Sequence, residues 1–107
     1  MGLMNENCTP CHSGQGELTP EEAIALLGEL NDWVYYPDRI EKRWEFRNFK
    51  AALAFVNKVG ALAEAEGHHP DIHFGWGYVE LVISTHSVSG LTRSDFILAA
   101  KIDGQQK

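Results

Sequence analysis

The longest regular pattern in the chain is the segment "NFKAALAFVNKVGALAEAEG", which runs from Asn48 to Gly67. Its apolar residues recur every three or four positions, which is the period of a helix face. Asn48 is a favourable N-cap, and Gly67 suits the residue that follows a helix, with Pro70 just beyond it. The sequence therefore predicts one long helix here, and the rest of the chain must pack around it.

This predicted helix has two neighbouring apolar stripes. One stripe is enough to cover a sheet. The other is explained either by a single small core that takes in both stripes or by contact with another subunit. The first stripe consists of Phe49, Leu53, Val56, Gly60 and Ala63, and the second of Phe55, Val59 and Leu62.

A segment typical of a β-hairpin lies on each side of the helix. Before it, "DWVYYPDRIEKRWEF" contains two strand-like stretches that are separated by the turn signal Pro37-Asp38. After it, "DIHFGWGYVELVISTH" predicts a strand, a bend and a second strand. The last strand alternates between two faces, with Val79, Leu81, Ile83 and Thr85 on one and Tyr78, Glu80, Val82, Ser84 and His86 on the other.

Two more helices are predicted near the ends of the chain. Thr19 and Glu22 have the spacing of a capping box at the start of a helix over about 20–30. Thr92 and Asp95 repeat this spacing at the start of "TRSDFILAAKID". The element order α-β-β-α-β-β-α predicts a single α+β domain, with a four-stranded antiparallel sheet and helices packed on one face.

The charge of the chain restricts its partners. The formal net charge is −6, whereas nucleic acids and anionic membranes attract basic surfaces. No stretch approaches the ~20 apolar residues that span a bilayer. The N-terminal residues lack the basic and apolar regions of a secretory signal, so we expect a cytoplasmic protein that binds neither nucleic acid nor membrane.

The pentapeptide "CTPCH" near the N-terminus matches the pattern that holds a c-type haem. The two methionines, Met1 and Met4, lie too close to it to supply a convincing second axial ligand. Two alternatives remain open. Cys8, Cys11 and His12 could form a zinc half-site that a symmetry mate completes, or the cysteines could be a free dithiol. We assign this motif to a flexible arm, residues 1–17, before a domain at 18–107.

Four of the five histidines fall within nineteen positions, at His68, His69, His73 and His86. His68 and His69 follow the long helix, and His86 ends the last strand, so two elements deliver imidazoles at their ends. Glu64 lies four residues before His68 and reaches it if the last turn stays helical.

Three interpretations of these histidines are open. In the first, His68 only caps the helix C-terminus, and His86 is a polar residue at a strand end. In the second, His68, His69 and His86 bind zinc, although adjacent histidines rarely both reach one tetrahedral ion. In the third, the cluster moves protons near neutral pH, where histidine titrates.

The residues around the histidines form an ordered set: Glu64, His68-His69-Pro70, Trp76 or Tyr78, Thr85-His86, Gly90-Leu91 and Asp95. Together with the preceding hairpin and helix, this set resembles the pterin-4a-carbinolamine dehydratase family. That family's signature is an acidic residue, three residues, His-His-Pro, an aromatic residue, Ser/Thr-His at a strand end, Gly-Leu and an Asp. The resemblance extends over about 18–103, which is nearly the whole chain.

The resemblance implies a hydro-lyase that converts a 4a-hydroxytetrahydropterin to the quinonoid dihydropterin. This reaction recycles the tetrahydrobiopterin cofactor of aromatic amino acid hydroxylases, such as those that hydroxylate phenylalanine. One proton must reach the leaving hydroxyl and one must leave the nitrogen side, which histidines can do without a metal or nucleophile. The pterin is the substrate, so we expect no separate cofactor and no metal.

The resemblance also implies roles for single residues. His68 and His86 are expected to form the proton-transfer pair, because they arrive from different elements. His69 would hydrogen-bond the pterin, and Glu64 would hold His68 in one tautomer. The remaining predicted substrate-binding residues are Gly67, Ser84, Thr85, Ser87, Trp33 and Asp95.

Two of these substrate-binding residues have a second interpretation, and a third departs from the family pattern. Trp33 is explained equally well as a core aromatic residue, and Asp95 as the capping partner of Thr92 alone. Some family members have Asp where this chain has Gly67, so a carboxylate contact at that position is not carried over.

The resemblance leaves a second class of function open. Some members of the family bind transcription factors as dimerisation partners, and others that have lost the histidines act as assembly factors. This chain keeps its histidines, which favours the enzyme. The family assembles through its sheet edges and helices, so we expect a homodimer or homotetramer, with a functional link to an aromatic amino acid hydroxylase.

Overall fold

A computed structural model describes residues 3–5, 17–85 and 90–105 of the chain. The order of its elements confirms the predicted pattern of three helices and two hairpins. Among the described residues, no helix has the length and apolar character needed to cross a membrane. The elements are a short 3-10 helix (Leu3–Asn5), α1 (Pro20–Leu27), β1 (Val34–Tyr36), β2 (Arg39–Glu45), α2 (Phe49–Glu66), β3 (Asp71–Gly75), β4 (Tyr78–Ile83) and α3 (Arg93–Asp103).

The four strands form one antiparallel sheet in the order β1-β2-β4-β3. β4 is therefore a central strand, with Val79 opposite Trp44 on β2 and opposite Phe74 on β3. Val79, Leu81 and Ile83 are fully buried, which confirms the face that the alternation predicted. The loop after β4 begins from this rigid central position.

The helices cover the face of the sheet that carries these buried residues. The inward residues of α2 are Ala52, Phe55, Val59 and Ala63. Phe49 and Leu53, from the first predicted stripe, remain 45% and 38% exposed. Ala63 of that stripe is buried and Val56 packs against the core, so the core takes in part of the first stripe and leaves Phe49 and Leu53 outside it.

Helix ends follow the predicted caps with one difference. The side chain of Asn48 accepts a hydrogen bond from Ala51, and Gly67 ends α2 in the left-handed region with φ of +68°. The predicted first helix extended to about residue 30, but α1 ends at Leu27. Gly28 follows, and its low helix propensity explains why the chain continues only as turns.

Two residues of the predicted arm contact the domain. Leu3 is 1% exposed and packs against α3, and Glu17 forms a β-bridge with Thr92. The boundary between arm and domain stays a prediction. Cys8, Cys11 and His12 lie outside the described residues, so their alternatives stay open as well.

The outer face of the sheet carries a row of ion pairs. Arg39 is bonded to Glu41, and Arg43 is bonded to Glu45 and Glu80. The hydrogen bond to Glu41 raises the pKa of Arg39, and the hydrogen bond to Glu45 raises the pKa of Arg43. Both guanidinium groups therefore stay charged and keep this face polar.

A buried ion pair fastens the far end of α3 to the sheet. Asp103 Oδ1 accepts from Lys42 Nζ at 2.9 Å and from Trp33 Nε1 at 3.0 Å, while Oδ2 accepts from the Asn31 backbone N–H at 3.1 Å. The Lys42 and Asp103 side chains are only 7% and 9% exposed. One carboxylate thus joins the end of α3, β2 and the segment before β1.

We predict that Asp103→Ala destabilises the domain by about 3–5 kcal/mol, because it leaves the Lys42 charge buried without a partner. Urea denaturation followed by circular dichroism measures the change. Glu80→Ala is the control, since its pair with Arg43 is exposed and is worth less than about 1 kcal/mol. Equal, small losses in both variants would contradict the prediction.

Candidate active site

The C-terminal end of α2 and the first turn of α3 bring His68 and Asp95 together. Gly67 turns the chain out of the helix, and the His68 backbone N–H donates back to Ala63 O at 3.2 Å. His68 Nε2 then lies 2.6 Å from Asp95 Oδ1. The His68 side chain is 13% exposed and the Asp95 side chain is fully buried. A nearly buried imidazole is therefore held by a buried carboxylate.

The second oxygen of Asp95 is also fully used. Asp95 Oδ2 accepts from the Thr85 hydroxyl at 2.8 Å and from the Thr92 backbone N–H at 2.9 Å. The Thr85 and Thr92 hydroxyl oxygens lie 2.8 Å apart. The Asp95 carboxylate thus connects the end of α2, the end of β4 and the start of α3.

Asp95 does cap α3, as predicted, but it also holds His68. The pairing of Asp95 with His68 was not predicted from the sequence. One signal was available: Thr85 shares the inward face of β4 with Leu81 and Ile83. A buried hydroxyl requires a hydrogen-bond partner, and the nearby Asp95 is the candidate.

The predicted contact between Glu64 and His68 is wrong. Glu64 Oε1 lies 3.0 Å from His69 Nε2 instead, and these two side chains are 82% and 61% exposed. The left-handed conformation of Gly67 ends the helical periodicity one residue before His68. The i, i+4 geometry that would place His68 beside Glu64 is therefore lost.

Gly67 lies between these two pairs as a backbone element. A Cβ at this position would meet no atom within 4 Å, so the left-handed φ of +68°, not space, favours glycine. Asp is one of the few other residues that tolerate this conformation. A carboxylate at this position in other family members is therefore compatible with the same chain path.

The structure separates Trp33 from this cluster. Trp33 is 6% exposed, stacks edge-on against Trp44 at 5.7 Å, and donates to Asp103. Asp103 ends α3, about 12 Å along the helix axis from Asp95 at its start. Trp33 is therefore a core aromatic residue, as one of the two interpretations predicted, and its place beside the pterin stays a prediction.

The remaining predicted site residues are only partly described. Ser84 is half-buried at the end of β4, and the Thr85 hydroxyl is bonded inside the protein. His86 and Ser87 lie outside the described residues. Within the described part of the chain, no group of three or more His, Cys, Asp or Glu residues is arranged to hold a metal ion.

A histidine held by a buried carboxylate, with a solvent-exposed histidine–carboxylate pair beside it, is an arrangement that acid–base enzymes use. An enzyme is therefore the class of protein that the fold and the cluster favour. The model of the pterin 4 alpha carbinolamine dehydratase family matches residues 16–105. The chain belongs to this family.

Bacterial relatives are similar over nearly their whole length. A protein of Rubrobacter xylanophilus is 47% identical over 102 residues, which cover 94% of this chain and 95% of the relative. A protein of Halorhodospira halophila is 46% identical over 105 residues, which cover 96% of each chain. The names of both provisionally assign them as pterin-4-alpha-carbinolamine dehydratases.

Two solved structures share the fold. The transcriptional coactivator/pterin dehydratase of Brucella melitensis has a TM-score of 0.76 and 29% identity, over 82% of this chain and 96% of the other. A pterin dehydratase-like protein, described as a RuBisCO assembly factor in the alpha-carboxysome, has a TM-score of 0.57 and 29% identity. That match covers 67% of this chain and 83% of the other.

We predict that Asp95→Ala lowers the free energy of unfolding, because it leaves buried donors of Thr85, Thr92 and His68 without an acceptor. Each such orphaned group costs about 1–3 kcal/mol. Glu64→Ala, which breaks only the exposed pair with His69, is expected to change stability by less than about 0.5 kcal/mol. Thermal and urea unfolding of both variants test this. Similar stabilities would contradict the buried network.

Proposed function

We propose that this chain dehydrates a 4a-hydroxytetrahydropterin to the quinonoid dihydropterin. The observation that carries the proposal is the hydrogen bond of 2.6 Å between His68 and the fully buried Asp95. Membership of the dehydratase family supports the choice of substrate. The names of the two bacterial relatives agree with this choice of substrate.

The proposed reaction needs two proton transfers and no redox step. The C4a–O bond breaks with its electron pair, and the departing hydroxide takes a proton to become water. The proton on N5 leaves, and the electron pair of the broken N5–H bond stays on N5 and forms the C4a=N5 double bond. Positioned acid–base groups are sufficient for this chemistry, and each typically contributes about 10²–10⁴-fold to the rate.

We assign the two transfers to His68 and His86, one as donor and one as acceptor. His69 is proposed to hydrogen-bond the pterin, because its side chain is 61% exposed beside that of His68. Glu64 then orients His69, in place of the role toward His68 that the sequence predicted. No metal takes part in the proposed steps.

The test is the rate of dehydration of 4a-hydroxytetrahydropterin by single variants. His68→Ala and His86→Ala are each expected to lose roughly 10²-fold or more in kcat. His73→Ala is the matched control, because His73 lies opposite Glu80 on the other face of the sheet and should keep the wild-type rate. Wild-type rates in both His68→Ala and His86→Ala, with the fold intact, would overturn the proposal.

The proposed product is one that a reductase can return to the tetrahydropterin state. We therefore place the reaction in recycling of the tetrahydrobiopterin used by aromatic amino acid hydroxylases, in the cytoplasm. A hydroxylase assay limited by pterin recycling should be accelerated by this protein.

We also propose that the exposed face of α2 pairs with a second copy of the chain. Phe49 and Leu53 lie exposed on this face, with Lys50 in the first turn of the helix and Glu64 in its last turn. Antiparallel pairing of two α2 helices places Lys50 of one copy toward Glu64 of the other. This charge pattern supports a symmetric homo-oligomer.

Light scattering after gel filtration tests the proposed assembly. Leu53→Asp is expected to reduce the wild-type oligomer to a smaller species, because it puts an unpaired charge into the contact. Ile24→Asp is the control, since Ile24 is 56% exposed on α1 and lies outside this face. A monomeric wild type, or equal effects in both variants, would contradict the pairing.

The alternative function is a protein-binding module, since the two similar solved structures are described as a transcriptional coactivator and a RuBisCO assembly factor. The exposed apolar residues Phe49 and Leu53 favour it. This alternative predicts a cellular role that survives His68→Ala and is lost with Leu53→Asp. If the protein acts as the enzyme, the cellular role is lost together with dehydratase activity in His68→Ala.

A further inference from the structure

Two hydroxyls beside the candidate active site have no role in the proposed function. They belong to Thr85 and Thr92, which are only 6% and 1% exposed. The two oxygens are 2.8 Å apart, and Thr85 Oγ1 is also 2.8 Å from Asp95 Oδ2. This buried hydroxyl pair contacts the carboxylate that holds His68. It can therefore determine which hydrogen bonds are left for the carboxylate oxygen that faces His68.

The direction of these hydrogen bonds follows from the number of protons. Each hydroxyl has one proton to donate, and an ionised carboxylate only accepts. The Thr85 proton therefore goes to Asp95 Oδ2, and the Thr92 proton goes to Thr85. The result is a directed chain from Thr92 through Thr85 to Asp95.

This chain constrains the other oxygen of Asp95. Oδ2 already accepts from the Thr85 hydroxyl and from the Thr92 backbone N–H. Two donors on Oδ2 stabilise the ionised form of Asp95, so Oδ1 faces His68 as an acceptor. The short contact of 2.6 Å then requires a proton on His68 Nε2.

A neutral imidazole carries only one N–H, so a proton on Nε2 leaves Nδ1 as the atom with a free lone pair. In the described part of the chain, no residue forms a hydrogen bond with His68 Nδ1. Nδ1 is therefore the nitrogen of His68 that remains for a substrate.

We propose that Thr85 and Thr92 are positioning residues, whose hydroxyl chain fixes His68 as the Nε2–H tautomer and makes Nδ1 its proton-transfer atom. The part concerning substrate rests on the proposed dehydratase function, whereas the tautomer is a property of the free protein. Without the Thr85 hydroxyl, Asp95 loses one of its two donors on Oδ2. The reversed arrangement then becomes accessible: one proton taken up from solvent protonates Oδ1, which donates to Nε2, and the neutral His68 ring carries its own proton at Nδ1.

The first test reads the tautomer directly in the full chain without substrate. Protein containing 15N-labelled histidine is examined by long-range 1H–15N correlation at a pH where the His68 ring is neutral. Its signals are identified by their absence in His68→Ala. The proposal expects protonated Nε2 and unprotonated Nδ1 in the wild type. A wild-type spectrum with protonated Nδ1 overturns it.

Variants then test the hydroxyl chain. Thr85→Val and Thr92→Val keep the side-chain shape and remove the hydroxyl, so both are expected to give a measurable fraction of the Nδ1–H form. Thr85→Ser and Thr92→Ser keep the hydroxyl and should keep the wild-type tautomer. Thr19→Val is the matched control, because it removes the hydroxyl of another N-cap threonine, at α1. Valine variants that fold and keep the pure Nε2–H form overturn the proposal.

Kinetics separates positioning from simple loss of structure. The valine variants are expected to lose roughly tenfold in kcat, part of the ~10²–10⁴-fold that such a group provides, with KM changed less than about twofold. The serine variants should recover the rate. Absence of dehydratase activity in the wild type would overturn the proposed function and leave the tautomer result standing. If a valine variant does not fold, the tautomer seen in the wild type and in the corresponding serine variant still tests the proposal.

Discussion

The Asp95 carboxylate is the group on which the rest of the candidate site depends. It is fully buried, it accepts hydrogen bonds from the Thr85 hydroxyl and the Thr92 backbone N–H, and its other oxygen is hydrogen-bonded to His68. Burying a carboxylate is unfavourable unless its oxygens are satisfied. The network therefore forms as a unit, and His68 has its position because Asp95 does.

A second buried carboxylate, Asp103, secures the other end of α3. It binds Lys42 on β2 and the indole of Trp33, so α3 is fixed to the sheet at both ends. Two such attachments explain why the first turn of α3 can hold an imidazole in one orientation. The helix is a rigid support for a site built at its start, which suits catalysis by positioned groups.

The fold was largely predictable because it depends on local signals. Caps at Asn48 and Gly67 and the alternation along β4 gave the elements and their inward faces. The site was less predictable, because it depends on which side chains meet across elements. The predicted contact of Glu64 with His68 was wrong because Gly67 adopts a left-handed conformation, and the apolar pattern of α2 did not show which residues of the two stripes face the sheet. The bond from His68 to Asp95 spans 27 residues, and no periodicity encodes such a contact.

In the proposed function, His68 transfers protons because the Asp95 carboxylate holds it. The most direct test is the single-turnover rate of 4a-hydroxytetrahydropterin dehydration by Asp95→Asn, compared with wild type. Asparagine keeps the shape of the side chain and removes the charge. We expect a rate lower by about 10²-fold in a folded variant. A folded Asp95→Asn protein with the wild-type rate would contradict it.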